Sequence, residues 1–186
     1  MHPPPAVPTT LILPGLFNSG PDHWQSHWER RDPTCVRVDQ QDWNAPRRED
    51  WVATLDAAIA DARAPVVLVG HSTACALVAH WARTATPAQR ARVRGALLVA
   101  PSDPEGAAYP EGPTGFRPVP LERLPFPSIV VSSEDDVYVT LERAREYADA
   151  WGSSFVNVGE KGHINSASGL GDWPDGSALL ARLREE

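Results

Sequence analysis

Val67-Leu68-Val69-Gly70-His71-Ser72-Thr73-Ala74-Cys75-Ala76-Leu77 runs from an apolar, β-branched stretch through a tight turn into a helical stretch. A buried strand, a sharp turn with serine at its tip and a following helix are the context that a nucleophile elbow requires. Gly70 leaves room for the turn, and a helix beginning at Thr73 offers unpaired N–H groups to a developing oxyanion. The usual pattern is Gly-x-Ser-x-Gly, and Ala74 stands at its last position, which adds one methyl where helix and strand pack. The plainer alternative is an ordinary βα turn with Ser72 as helix N-cap.

Working outward, similar apolar runs recur at Thr10–Leu13, Cys35–Val38, Pro65–Val69, Ala96–Ala100, Ser128–Val131 and Ser153–Val158. Most are continuous rather than alternating, as expected of strands covered on both faces. Helical stretches fall between them at Asp22–Arg31, Arg48–Arg63, Thr73–Arg83, Pro87–Arg94, Leu141–Trp151 and Ser177–Leu183. In the second of these, Trp51, Val52, Leu55, Ala58 and Ile59 recur at helical spacing. Strands alternating with helices predict right-handed crossovers and a mostly parallel sheet of about six strands, an α/β fold. Residues 1–8 read as a loose tail and 9–186 as one domain. Residues 103–127, with seven prolines, read as a long irregular segment of the kind that often carries function.

A serine hydroxyl needs a histidine to take its proton and an acid to orient that histidine, in the chain order Ser, acid, His for this kind of sheet. Acids follow the strand at Ser128–Val131, in Ser133-Glu134-Asp135-Asp136, and His163 follows the last strand. Asp136 is the best placed of the three acids, with Glu134 and Asp135 facing solvent or capping a turn. Asp103, which also follows a strand, is a competing acid. His23 and His27 stand four apart, a spacing that could offer two imidazoles to zinc, but no Glu lies between them and no third ligand suggests itself. His80 reads as a packed or surface histidine.

The chain has 186 residues, 17 basic against 24 acidic, for a net charge of −7. Hydrophobic residues make up 42% and charged residues 22%, the composition of an ordinary globular chain. An acidic chain without a basic run gives nucleic acid little to grip and is repelled by an anionic membrane. Cys35 and Cys75 have neither a zinc nor a redox spacing and read as buried thiols in a reducing compartment. With no signal-peptide pattern at the N-terminus and no apolar run of spanning length, the expected location is the cytoplasm.

Several segments together resemble the YdeN-like, retinoblastoma-binding-protein-like small serine hydrolases. They are Leu13-Pro14-Gly15-Leu16-Phe17-Asn18-Ser19-Gly20-Pro21-Asp22-His23-Trp24-Gln25, Gly70-His71-Ser72, Ser133-Glu134-Asp135-Asp136, Gly162-His163-Ile164-Asn165 and Ser168-Gly169-Leu170-Gly171-Asp172-Trp173-Pro174. The likeness spans roughly residues 9–185, and the two end segments are its most specific parts. It implies a minimal α/β-hydrolase without a large lid domain. It also implies Ser72 as nucleophile, Asp136 as acid, His163 as base, and the backbone N–H groups of Leu16 and Thr73 as the oxyanion hole. Phe17, Asn18 and Trp24 become pocket candidates because they follow the first strand, against core packing or capping as the plainer roles.

The expected function is hydrolysis of small carboxylic esters, with no metal and no cofactor. A thioesterase or amidase would use the same triad, and a binding protein could retain the fold without the chemistry. The expected partner is a small-molecule ester. No protein partner can be read from the sequence.

Overall fold

A computed structural model describes residues 7–63 and 65–185. The tail expected over residues 1–8 lies, for residues 1–6, outside the described residues. The strands are β1 (Thr9–Leu13), β2 (Cys35–Arg37), β3 (Val66–His71), β4 (Val93–Val99), β5 (Ser128–Ser132) and β6 (Ser154–Asn157). They form one six-stranded sheet in the order β2-β1-β3-β4-β5-β6, every neighbouring pair parallel. The helices are α1 (Trp24–Arg31), α2 (Arg48–Asp61), α3 (Thr73–Thr84), the single turn α4 (Pro87–Arg90), α5 (Leu141–Trp151) and α6 (Pro174–Glu185). No helix among the described residues is long and apolar enough to cross a membrane.

The continuous apolar runs reflect burial on both faces of the sheet. Leu11, Leu13, Leu68, Ala96, Leu98 and Val130 pack against α2, α3 and α5. The alternate residues Ile12, Val67, Val69, Leu97, Val99 and Val131 pack against α1 and α6. Trp51, Leu55 and Ile59 point from α2 into the first cluster at helical spacing, and Trp24 and Trp28 point from α1 into the second. Cys35 and Cys75 are both buried free thiols.

Several boundaries differ from the sequence reading. The helix expected over Pro87–Arg94 opens on a capping box of Thr86 and Gln89 and stops at Arg90, where the Ala91 and Arg92 N–H groups close the turn onto the Pro87 and Gln89 carbonyls. The chain then enters β4 at Val93, three residues early, opposite Val66. The first helix starts at Trp24 rather than Asp22, with His23 accepting the Gln25 N–H as N-cap. The last begins at Pro174 rather than Ser177, since proline loses nothing at a first helical turn.

The segment between β4 and β5 has neither helix nor strand, as expected, yet it is anchored. Phe116, Val119, Leu124 and Phe126 are buried in the larger cluster. His80 Nε2 donates to the Phe116 carbonyl at 2.9 Å, so His80 is a packed histidine. Trp151 Nε1 donates to the Pro120 carbonyl at 2.8 Å. Trp151→Phe keeps the apolar bulk and leaves that carbonyl without its donor. It should cost about 1–3 kcal/mol in urea unfolding and increase proteolytic cleavage within residues 103–127.

Candidate active site

The loops leaving β1, β3, β4, β5 and β6 converge on one hydroxyl at the carboxyl edge of the sheet, where α/β folds of this kind place their ligands. Ser72 is the first residue past β3, with φ 60° and ψ −126°. Its N–H donates to Val99 O and its carbonyl accepts from Cys75 N–H, both at 3.0 Å. Its side chain makes no capping bond to α3, so the plain capping role is not the one the fold builds. Ser72 Oγ instead lies 2.9 Å from His163 Nε2. His163 Nδ1 lies 2.8 and 3.0 Å from the two oxygens of Asp136. The Asp136 carboxylate is buried and also accepts the Tyr138 N–H at 2.9 Å. A carboxylate only accepts, so Nδ1 carries the imidazole proton and Nε2 presents its lone pair to the Ser72 O–H.

Two close approaches shape the elbow. A Cβ on Gly70 would sit 3.3 Å from the Ala74 backbone, so glycine lets α3 fold back onto β3. A Cβ on Gly15 would sit 2.7 Å from Ser72 Cβ and 2.9 Å from His71 O, so glycine lets the turn after β1 pass against the serine. That turn brings Leu16 to the hollow that Ser72 and Thr73 also line. The Leu16 and Thr73 N–H groups have no acceptor among the described residues. The methyl of Ala74, where the usual motif has glycine, is absorbed in the core.

The remaining candidates separate. The Asp103 carboxylate is engaged elsewhere: it accepts Tyr147 O–H at 2.9 Å and pairs with Arg143 at 3.4 Å. Glu134 accepts from Asn157. Phe17 lines the hollow, 63% exposed at its rim. Asn18 lines it too, but its Oδ1 accepts from Arg37 Nη1 and Ser19 N–H. Trp24 does not line it. That expectation is corrected: its ring is buried against Trp28 and Trp173, and its Nε1 donates to Ile164 O at 2.8 Å. His23 and His27 do not share a site. His23 faces His71, with ring centres 4.7 Å apart, while His27 Nδ1 lies 3.2 Å from Asp172.

Several positioning groups escaped the sequence reading. The histidine loop is pinned residue by residue. Lys161 N–H donates to Ser133 Oγ at 2.8 Å and Gly162 N–H to Asp135 Oδ1 at 2.7 Å. His163 O accepts from His71 Nε2 at 2.9 Å. Gln25 Nε2 spans the ends of β1 and β3, donating to Leu13 O and Val69 O. Ser102, just past β4, places its Oγ 2.7 Å from Ser72 Oγ. Its one sequence signal was its position at the carboxyl end of a central strand.

The hollow over Ser72 holds about 360 Å³. Leu16, Phe17, Tyr109, Pro110, Tyr138 and Ala167 supply its apolar side, and among the described residues no Lys, Arg, Asp or Glu lines it. Tyr109, from the irregular segment, is tied to Thr73 by a 3.0 Å hydroxyl contact. A larger groove of about 640 Å³ lies over α2 and α3, away from the strand ends and from Ser72.

Residues 10–182 match the family model of the serine hydrolases. Among solved structures, the chain is similar to one described as a YdeN-like hydrolase from Pectobacterium atrosepticum. They share 33% identity at a TM-score of 0.83, over 95% of this chain and 90% of that one. The ydeN gene product of B. subtilis matches with 17% identity and a TM-score of 0.71, over 96% of this chain and 100% of that one. The esterase domain of a Rhodothermus marinus protein matches with 18% identity and a TM-score of 0.68, over 95% and 87%. At those two identities the likeness is one of fold. No curated protein sequence matches the chain.

Two imidazoles behind His163 are held neutral. Burial, then the charges of Arg37 and His163, pushes His23 from 6.5 down to about 3. Burial, then His23 and His163, holds His71 well below its usual range. Below pH 6.5 the unfolded chain binds a proton that folded His23 refuses. The stability this histidine contributes is therefore fully present above pH 6.5 and falls as pH drops toward about 3. The slope is about 1.4 kcal/mol per pH unit for one such group. His23→Asn keeps an N-cap acceptor, so it should flatten the acid limb of stability by close to one proton. Urea unfolding at pH 7.5, 5.5 and 4.5 measures this, and an unchanged slope would show that His23 is not a buried neutral group.

Proposed function

The chain belongs to the serine hydrolase family, and on that premise we propose that it hydrolyses small, uncharged carboxylic esters through an acyl-enzyme on Ser72. The single observation behind the proposal is the chain of contacts from Ser72 Oγ to His163 Nε2 at 2.9 Å and from His163 Nδ1 to Asp136 at 2.8 Å, with Ser72 on a positive-φ elbow.

In this reading Ser72 Oγ attacks the ester carbon as His163 Nε2 takes its proton. Asp136 holds the imidazolium and keeps the ring in its working tautomer. The carbonyl oxygen, now negative, receives hydrogen bonds from the N–H groups of Leu16 and Thr73. His163 then gives its proton to the leaving alcohol. Water repeats the sequence on the acyl-enzyme and frees the acid. Each step is a proton or acyl transfer among these groups, substrate and water, and calls on no cofactor.

The hollow supports the substrate class. At about 360 Å³ it is at the small end of ligand sites. With no Lys, Arg, Asp or Glu among the described residues lining it, a charged acyl group would enter without a partner. Two unpaired buried thiols suit a reducing compartment, so we take the cytoplasm as its place of action.

Ser72→Ala should abolish labelling by a fluorophosphonate probe and reduce kcat by about 10⁶, as loss of a triad serine does in a protease. A mutant that labels like the parent would place the nucleophile elsewhere, and a parent that fails to label would favour a binding protein. Asp136→Asn should lower kcat by about 10⁴, with Asp103→Asn far milder; the reverse order would reassign the acid. Across p-nitrophenyl esters, a neutral butyryl chain should exceed a hemiglutarate in kcat/KM by roughly 10–100-fold, the cost of one unpaired polar group. Thioesters and anilides run in parallel decide among ester, thioester and amide chemistry.

A further inference from the structure

We propose that Ser102 is a catalytic residue whose hydroxyl donates to Ser72 Oγ and stabilises that oxygen when it departs from the acyl-enzyme. The inference rests on Ser72 being the nucleophile.

The assignment follows from counting protons. The Ser72 hydroxyl has one proton and two lone pairs. Its proton is directed to His163 Nε2, because Nδ1 already carries the imidazole proton toward Asp136. Ser72 has nothing left to donate across the 2.7 Å contact, so the Ser102 O–H is the donor and Ser72 Oγ the acceptor. Ser102 is held for the task. It is buried two residues past the Ala100 N–H that donates to Val131 O at 2.8 Å, and the next residue's N–H donates to Tyr138 O at 3.0 Å. Ser102 also lines the hollow over Ser72. The contact takes one lone pair of Oγ and leaves the other to attack a carbonyl.

The donor matters most when Oγ carries charge, since a hydrogen bond to an ionised acceptor is about twice as strong as a neutral one. In the acyl-enzyme Oγ is an ester oxygen and a poor acceptor. Deacylation reverses this. Water adds to the acyl carbon as His163 Nε2 takes its proton. The C–Oγ bond then breaks, its electron pair passes to Oγ, and Oγ takes the proton back from Nε2 as the carboxylic acid leaves. Throughout, Ser102 keeps its own proton and strengthens its hydrogen bond as negative charge collects on Oγ. Losing that bond slows the step in which Ser72 is the leaving group more than the step in which it attacks.

Ser102→Ala, Ser102→Thr and the parent enzyme are compared on p-nitrophenyl acetate, with burst kinetics, intact-protein mass and fluorophosphonate labelling. In Ser102→Ala, kcat should fall roughly 10–100-fold, the reach of one hydrogen bond to a charged group. KM should fall with it, the burst should approach one nitrophenolate per enzyme, and an acetyl adduct on Ser72 should accumulate. Ser102→Thr, which keeps the hydroxyl, should recover most of kcat. Parent-like kcat in Ser102→Ala would overturn the proposal. So would equal losses in the Ala and Thr variants with unchanged thermal melts, or a lower kcat without adduct. Failure of the parent to label at Ser72 would instead count against the triad on which the proposal stands.

Discussion

Everything at the carboxyl edge of the sheet is arranged around one strained residue. A non-glycine residue at φ 60°, ψ −126° costs on the order of 1–3 kcal/mol and persists only where its surroundings over-determine it. Here they do. Ser72 follows a strand buried on both faces, and its N–H is bound to β4 and its carbonyl to the first turn of α3. Gly70 and Gly15 clear the space on two sides. The strain is thereby loaded onto a fully buried strand. In return the fold turns the Ser72 side chain away from α3, where a helix cap would bind its hydroxyl, and toward the groups of the neighbouring loops.

The histidine faces the opposite problem. It stands on a loop after a short edge strand, where chain entropy works against a fixed position. Side chains of three other elements supply the order. Ser133 and Asp135, on the loop that also carries Asp136, hold the two N–H groups before His163. His71 and Trp24 hold the carbonyls of His163 and Ile164. The loops of Asp136 and His163 are therefore braced against one another directly, and His71 ties His163 to the turn that carries Ser72. A displacement of about 1 Å in such a constellation can cost two orders of magnitude in rate, so under the proposed mechanism these contacts would bear on the rate.

What the sequence showed and what it hid divide along physical lines. The elbow, the parallel sheet and the order Ser72, Asp136, His163 were readable because each rests on a local signal: an apolar run, a small residue at a turn, a polar residue at a strand end. Trp24 was misread because a tryptophan after the first strand is equally suited to a pocket wall and to a core. The decision lay with Ile164, 140 residues away, whose carbonyl it binds. Ser102 was passed over for Asp103 because an acid advertises chemistry and a serine does not, although Asp103 is committed to Tyr147 and Arg143. The C-terminal end of α4 and the start of α6 were missed where turn hydrogen bonds and a first-turn proline, rather than apolar period, set the boundary.

The neutral histidines give burial at this site a place in the proposed mechanism. Rings of His23, His71 and His163 stand in a row with neighbouring centres 4.7 and 4.8 Å apart. A second positive charge at that spacing would oppose the imidazolium of His163 by about 3 kcal/mol at an effective dielectric of 20. That penalty would act directly against the stabilisation that the proposed mechanism asks of Asp136. Desolvation removes the conflict, keeping His23 near 3 and His71 well below its usual range. His71 can therefore serve as a fixed N–H donor to the His163 carbonyl without becoming a competing cation. Under the proposed mechanism, proton transfer is thus left to the ring that faces Ser72 across 2.9 Å.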